Sequence, residues 1–185
     1  MYRQAEMVFD YINRNPQFLS QETHLLQGAV LMRMGNDAKA KEILELALAD
    51  QEQNRKQHPD SPGPDRYAGL ALKLLHRPQE AARVFQAAVE KDGARLGRAE
   101  DAPTKAWIHR SLGQTLYAMG DSEAAFNHFS MARALVPEGD DGHRRKFPEE
   151  ERFRGMRDRL LRKLLGLQYN EPAPARPGDP LLRAD

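Results

Sequence analysis

The sequence predicts an all-α chain: an α-solenoid of about three helix-turn-helix repeats, with one further helix before them and one after. Three observations carry that expectation. Apolar residues recur at three- and four-residue spacing along most of the chain, one set of columns returns three times, and Gly, Pro, Asn and Asp stand where helices must stop and start.

The clearest unit runs over residues 107–137. Leu112, Leu116 and Met119 form one apolar stripe, and Ala125, Phe129, Ala132 and Leu135 form a second. Between them Gly120 supplies a left-handed helix stop, and Asp121 an N-cap whose carboxylate accepts from the free N–H groups of the next turn. Two amphipathic helices joined by so short a turn must pack on each other, with Gly113 and Ala125 allowing close approach of their axes.

Counting from the first-helix glycine, the same template appears in two earlier stretches. Gly28, Gly69 and Gly113 are followed three residues on by Leu31, Leu72 and Leu116, and twelve on by Ala40, Ala81 and Ala125. Sixteen on stand Leu44, Phe85 and Phe129, and nineteen on Ala47, Ala88 and Ala132. This pattern resembles the tetratricopeptide repeat (TPR), a helix-turn-helix unit of about 34 residues. The resemblance covers residues 20–137 and implies a right-handed solenoid. The third copy is the fullest, closing on Pro137, although His109 stands where the family most often has tryptophan. The first keeps a Gly35-Asn36 turn, and the second replaces it with His76-Arg77-Pro78.

Taken in order, residues 1–16 read as an N-terminal capping helix or half-repeat, since Ala5, Phe9 and Ile12 have second-helix spacing and Asn15-Pro16 stops them. Repeat 1 occupies 20–53, repeat 2 occupies 66–91 and repeat 3 occupies 106–137. The glycine columns are 41 and 44 residues apart, longer than the family period, which places insertion loops at 54–65 and 92–105, each broken by glycine and proline. Residues 147–168 read as a basic C-terminal capping helix: Glu149, Glu150 and Glu151 suit its first turn, Arg162 and Lys163 its last, and Phe153, Met156, Leu160, Leu164 and Leu167 make its stripe. Residues 169–185 are a proline-rich flexible tail.

Composition limits function. The 185 residues are 40% hydrophobic and 30% charged, enough for one solenoid domain but not for several independent ones. A net charge of +1 does not lead one to expect nucleic acid as a partner. Without cysteine there is no disulfide, thiol nucleophile or thiolate metal ligand. No apolar run reaches membrane-spanning length, and the start has no basic region followed by an apolar core, so the cytoplasm is the default compartment unless an upstream leader has been removed. The six histidines include no i,i+4 pair and no H-E-x-x-H, His24 and His109 hold equivalent places that favour helix-packing roles, and no phosphate-cradling or nucleophile-elbow motif occurs. Neither catalysis, a metal nor a cofactor is expected.

What remains is binding. The resemblance implies that first helices line a concave groove for a peptide, contributed here by Leu25, Ala29, Met32 and Arg33, then Arg66, Tyr67, Leu70 and Lys73, then Arg110, Gln114 and Tyr117. Such a basic lining with aromatic interruptions suits an acidic segment of a partner protein. It also sets aside recognition of chaperone C-terminal carboxylates, because the clamp's lysine, asparagine and arginine positions fall at Leu25, Ala29, Tyr67, Trp107 and Ser111. The expected function is a noncatalytic adaptor, scaffold or assembly factor; the alternative is a regulatory or substrate-docking domain of a larger enzyme or secretion complex.

Overall fold

A computed structural model describes residues 22–135, which form six α-helices; no strand occurs among them. They are α1 (Thr23–Arg33), α2 (Asp37–Gln57), α3 (Gly63–Leu74), α4 (Pro78–Arg98), α5 (Ala102–Met119) and α6 (Ser122–Leu135). The readings made for residues 1–16, Pro137, 147–168 and 169–185 lie outside the described residues.

The three turns that join α1 to α2, α3 to α4 and α5 to α6 are built alike. Seven residues after each first-helix glycine the backbone turns left-handed, at Gly35 (φ 76), His76 (φ 57) and Gly120 (φ 100). The next N–H then reaches back to the leucine carbonyl of the preceding helix: Asn36 to Leu31 at 3.0 Å, Arg77 to Leu72 at 2.9 Å, Asp121 to Leu116 at 3.0 Å. This six-to-one closure satisfies carbonyls that the helix end leaves open. His76-Arg77-Pro78, which departs from the glycine turn in sequence, therefore makes the same turn, with histidine accepting a conformation that glycine adopts freely. Pro78 follows at the first helical position, where its missing N–H costs nothing.

The stretches expected to be insertion loops are mostly helix. Instead of 54–65 the break spans only 58–62, and instead of 92–105 only 99–101. The prolines counted as loop formers, Pro64 and Pro103, sit in the first turns of α3 and α5, the one part of a helix that tolerates them. Asp101 caps α5 by accepting from Thr104 N at 2.7 Å. Gly93 and Gly97 lie inside α4. Their propensity cost of about 1 kcal/mol each is outweighed by the packing that the long helix provides.

Each helix packs on the next along the chain, and α1 also touches α3. The close contacts follow the sequence columns. A Cβ added at Gly28 would lie 2.5 Å from Leu44 Cγ, at Gly69 2.5 Å from Phe85 Cε1, and at Gly113 2.8 Å from Phe129 Cε1. Each glycine thus faces the bulky residue sixteen positions later, and the alanine columns are buried in every pair: Ala40, Ala81 and Ala125, then Ala47, Ala88 and Ala132. The continuous core runs through the first two pairs, with Leu25, Val30, Leu44, Leu70, Leu72 and Phe85 at its centre, and Ala118 joins it from α5.

Candidate functional site

The residues expected to line a groove divide into three groups. Leu25, Ala29 and Leu70 are not on a lining at all: they are buried in the core. The first of these helices is enclosed on nearly every side, Leu25 to Leu31 of α1 without interruption. The reading of one free face per first helix fails there. Met32 packs half-buried against the same core, and Arg33 is exposed at the end of α1.

Arg66, Tyr67 and Lys73 each bond to a neighbouring element, the first two half-buried and Lys73 exposed. Tyr67 Oη donates to Glu22 Oε1 at 2.7 Å. Arg66 Nη1 donates to Ser111 Oγ at 2.8 Å, and its guanidinium carbon lies 5.5 Å from the Tyr67 ring centroid. Lys73 Nζ donates to the Ala118 carbonyl at 2.6 Å. All three bonds span 45 residues, so they tie corresponding stretches of successive helix pairs together. Burial, and then the neighbouring Glu22 charge, raise the Tyr67 hydroxyl to about 12, while Arg66 opposes them.

Arg110, Gln114 and Tyr117 on α5 remain at the surface, the first exposed and the other two half-buried. Trp107, one turn earlier, joins them at 53% exposure, and the Arg95 guanidinium from α4 stacks over its ring at 4.5 Å. At positions i, i+3, i+7 and i+10 the four make one stripe along the helix. Trp107 was absent from the expected lining because the family alignment gave it only the place of a missing lysine.

Polar groups inside the hairpins were the larger omission. Asp65, fully enclosed at the start of α3, receives Arg55 Nε from α2 at 2.8 Å and Lys91 Nζ from α4 at 2.6 Å, so one carboxylate joins three helices. Asp92 is likewise inaccessible; burial raises its carboxyl above the usual range, against the opposing influence of Ser111, Arg66 and Arg95. The signal for these was present in the columns. His24, Asp65 and His109 each stand four residues before their glycine, and Asp50 and Lys91 each twenty-two after it. His24 Nδ1 meets Asp50 Oδ2 at 2.5 Å as Asp65 meets Lys91, the acidic residue standing on the second helix in one pair and on the first in the other. His109 instead meets His128, with Nδ1 atoms 2.9 Å apart; burial lowers both imidazoles, and His128 is lowered further because a second charge beside His109 is disfavoured.

Among the described residues no three His, Cys, Asp or Glu side chains gather as a metal cluster, and no helix is long and apolar enough to cross a membrane. The chain matches no family model, no curated protein and no solved structure. The stripe on α5 and the polar nodes between helices are therefore weighed on their own chemistry.

Proposed function

We propose that the six helices are the body of a right-handed, tetratricopeptide-like solenoid that acts as a noncatalytic interaction module, binding an acidic segment of a partner protein. Support for the repeat reading comes from the shared left-handed turn, the recurring glycine-against-bulky contact and the 45-residue bonds between successive pairs.

The observation that carries the binding reading is the stripe Trp107, Arg110, Gln114 and Tyr117. Half of the indole is in water although it is the chain's one tryptophan, and Arg95 holds it in place from above. An aromatic plane already fixed loses little entropy on contact, and a neighbouring guanidinium gives charge-assisted hydrogen bonds to carboxylates. Arg66, half-buried and bonded to Ser111, and Lys73, exposed and bonded to the Ala118 carbonyl, add positive potential along α5.

Affinity capture with the full chain tests the proposal. The double substitution Trp107→Ala with Arg110→Glu leaves the far-UV circular dichroism unchanged, because both side chains are at the surface, and abolishes recovery of the specific partner. Retention of that partner by the double variant at moderate salt would remove the stripe as the binding site. Arg66→Glu is a poor probe, since it breaks the bond to Ser111 and confounds folding with binding.

A further inference from the structure

Asp92 lies in the α4–α5 contact with no exposed surface, although it is a carboxylate beside two guanidiniums. Arg95, one turn on along α4, gives Nη1 to its Oδ1 at 3.3 Å and carries its guanidinium carbon to 4.5 Å from the centre of the Trp107 ring. From α5 the carboxylate faces Ser111, one turn after Trp107, whose Oγ accepts from Arg66 of α3 at 2.8 Å. The two helices are thus joined twice, Asp92 to Ser111 beneath the surface and Arg95 to Trp107 at it.

Stacking one helix pair on the next does not demand this arrangement. Counted from their glycines, Asp92 and Arg95 correspond to Gln51 and Asn54 at the α2–α3 contact, and Trp107 corresponds to Gly63. That junction closes with no indole and no guanidinium at those places. Burial also raises the Asp92 carboxyl, against Ser111, Arg66 and Arg95, so the enclosed charge opposes folding rather than supporting it. What the carboxylate does accomplish is to fix a side chain, since arginine carries several rotatable bonds and 30% of this one is in water. We propose that Asp92 is the positioning residue of the α5 stripe, holding the Arg95 guanidinium over Trp107 before any partner arrives. This rests on the stripe being the binding surface, and adds to it a residue that no partner can touch. A guanidinium ordered in advance spares the complex the entropy of ordering it, a gain of about two- to tenfold in affinity.

Nuclear magnetic resonance of the full chain tests it. The indole ring current displaces the Arg95 side-chain signals, and Trp107→Ala gives their undisplaced position. Asp92→Asn keeps the shape and removes the charge. It moves those signals at least about a third of the way to that position, because a charge-assisted bond is roughly twice as strong as a neutral one. Acrylamide quenching of Trp107, the one tryptophan, rises about 1.5-fold as the covered face opens. Lowering the pH moves the wild-type Arg95 signals in the same direction, with a midpoint above the ordinary 3.8 of aspartate, and has no such effect in Asp92→Asn. In an Arg95→Gln background Asp92→Asn leaves quenching unchanged, since the effect on Trp107 travels through Arg95; a general loosening of the α4–α5 contact would raise it there as well. If Asp92→Asn loses helicity, the wild-type pH profile carries the decision. Arg95 signals that stay in place in a folded Asp92→Asn chain, or through the acid range in wild type, overturn the proposal whatever affinity capture shows. Wild-type affinity of Asp92→Asn for a partner that Trp107→Ala with Arg110→Glu loses overturns the positioning role. Retention of the partner by that double variant removes the stripe itself, and capture alone reports it.

Discussion

Gly69→Ala adds one methyl group at the tightest recurring contact of the fold. Its Cβ would sit 2.5 Å from Phe85 Cε1 and 2.7 Å from Cδ1 and Cζ, about 1 Å inside ordinary carbon–carbon contact. Phe85 is 1% exposed and its ring is enclosed by the core of the first two helix pairs, so relief requires α3 to move away from α4. Overpacking of this kind costs about 1–3 kcal/mol, while alanine in place of a mid-helix glycine gains about 1 kcal/mol. The net expectation at Gly69 is a loss of up to roughly 2 kcal/mol, at the upper end of the difference because the enclosed Phe85 ring has nowhere to turn. Gly113→Ala is milder, because its Cβ would meet Phe129 at the longer distances of 2.8–2.9 Å and that ring is only half-buried. Urea unfolding followed by circular dichroism measures both, with the slope checked for two-state behaviour. Phe85→Leu in the Gly69→Ala background recovers part of the loss, and the double-mutant cycle isolates the contact. A Gly69→Ala chain as stable as wild type, or one less affected than Gly113→Ala, would refute the close-approach account of the glycine column.

His76→Gly relieves the left-handed strain at φ 57 and raises stability by up to about 1 kcal/mol; an unchanged urea midpoint would show that the turn imposes no strain. Asp65→Ala leaves Arg55 and Lys91 facing each other without their shared anion. It costs about 2–4 kcal/mol, somewhat below the usual loss for a buried pair because both cations reach water, and a loss under about 1 kcal/mol would contradict that assignment. Tyr67 keeps its proton to about 12 when folded, whereas the unfolded chain releases it near the ordinary value of 10.0. Between those values the folded state binds more protons, so the stability associated with the buried phenol is intact below pH 10 and is lost as pH rises toward 12. Tyr67→Phe flattens the alkaline fall in unfolding midpoint; an identical slope would rule Tyr67 out as its source.

The helices and their pairing were legible because they depend on local periodicity and on columns that a single chain repeats. The turn at His76 was legible only as a departure. Sequence matching counts a lost glycine, but the backbone closure uses an N–H and a carbonyl that every such residue supplies, so the geometry survives at a conformational cost. The loops at 54–65 and 92–105 were misjudged for a related reason. Proline breaks a helix in its interior but begins one at its first turn, and residue type alone does not say which side of the boundary Pro64 and Pro103 occupy. Gly93 and Gly97 read as breakers, yet the helix continues past both.

Site residues were harder to read because exposure is a property of neighbours. Arg66 and Arg110 share a column, three residues before Gly69 and Gly113, and in sequence they have equal claims to a groove. Arg66 has the next first helix beside it and donates to Ser111, whereas Arg110 is exposed on α5. Lys73, two turns on from Arg66, likewise bonds to the next first helix, through the Ala118 carbonyl. Between the described helix pairs a long cation at these positions serves as the bond from one first helix to the next. On the last described pair the same column carries Arg110, part of the stripe proposed to bind a partner. This places the strongest candidate chemistry on α5, where Trp107 and Arg110 lie one turn apart, rather than evenly along a groove.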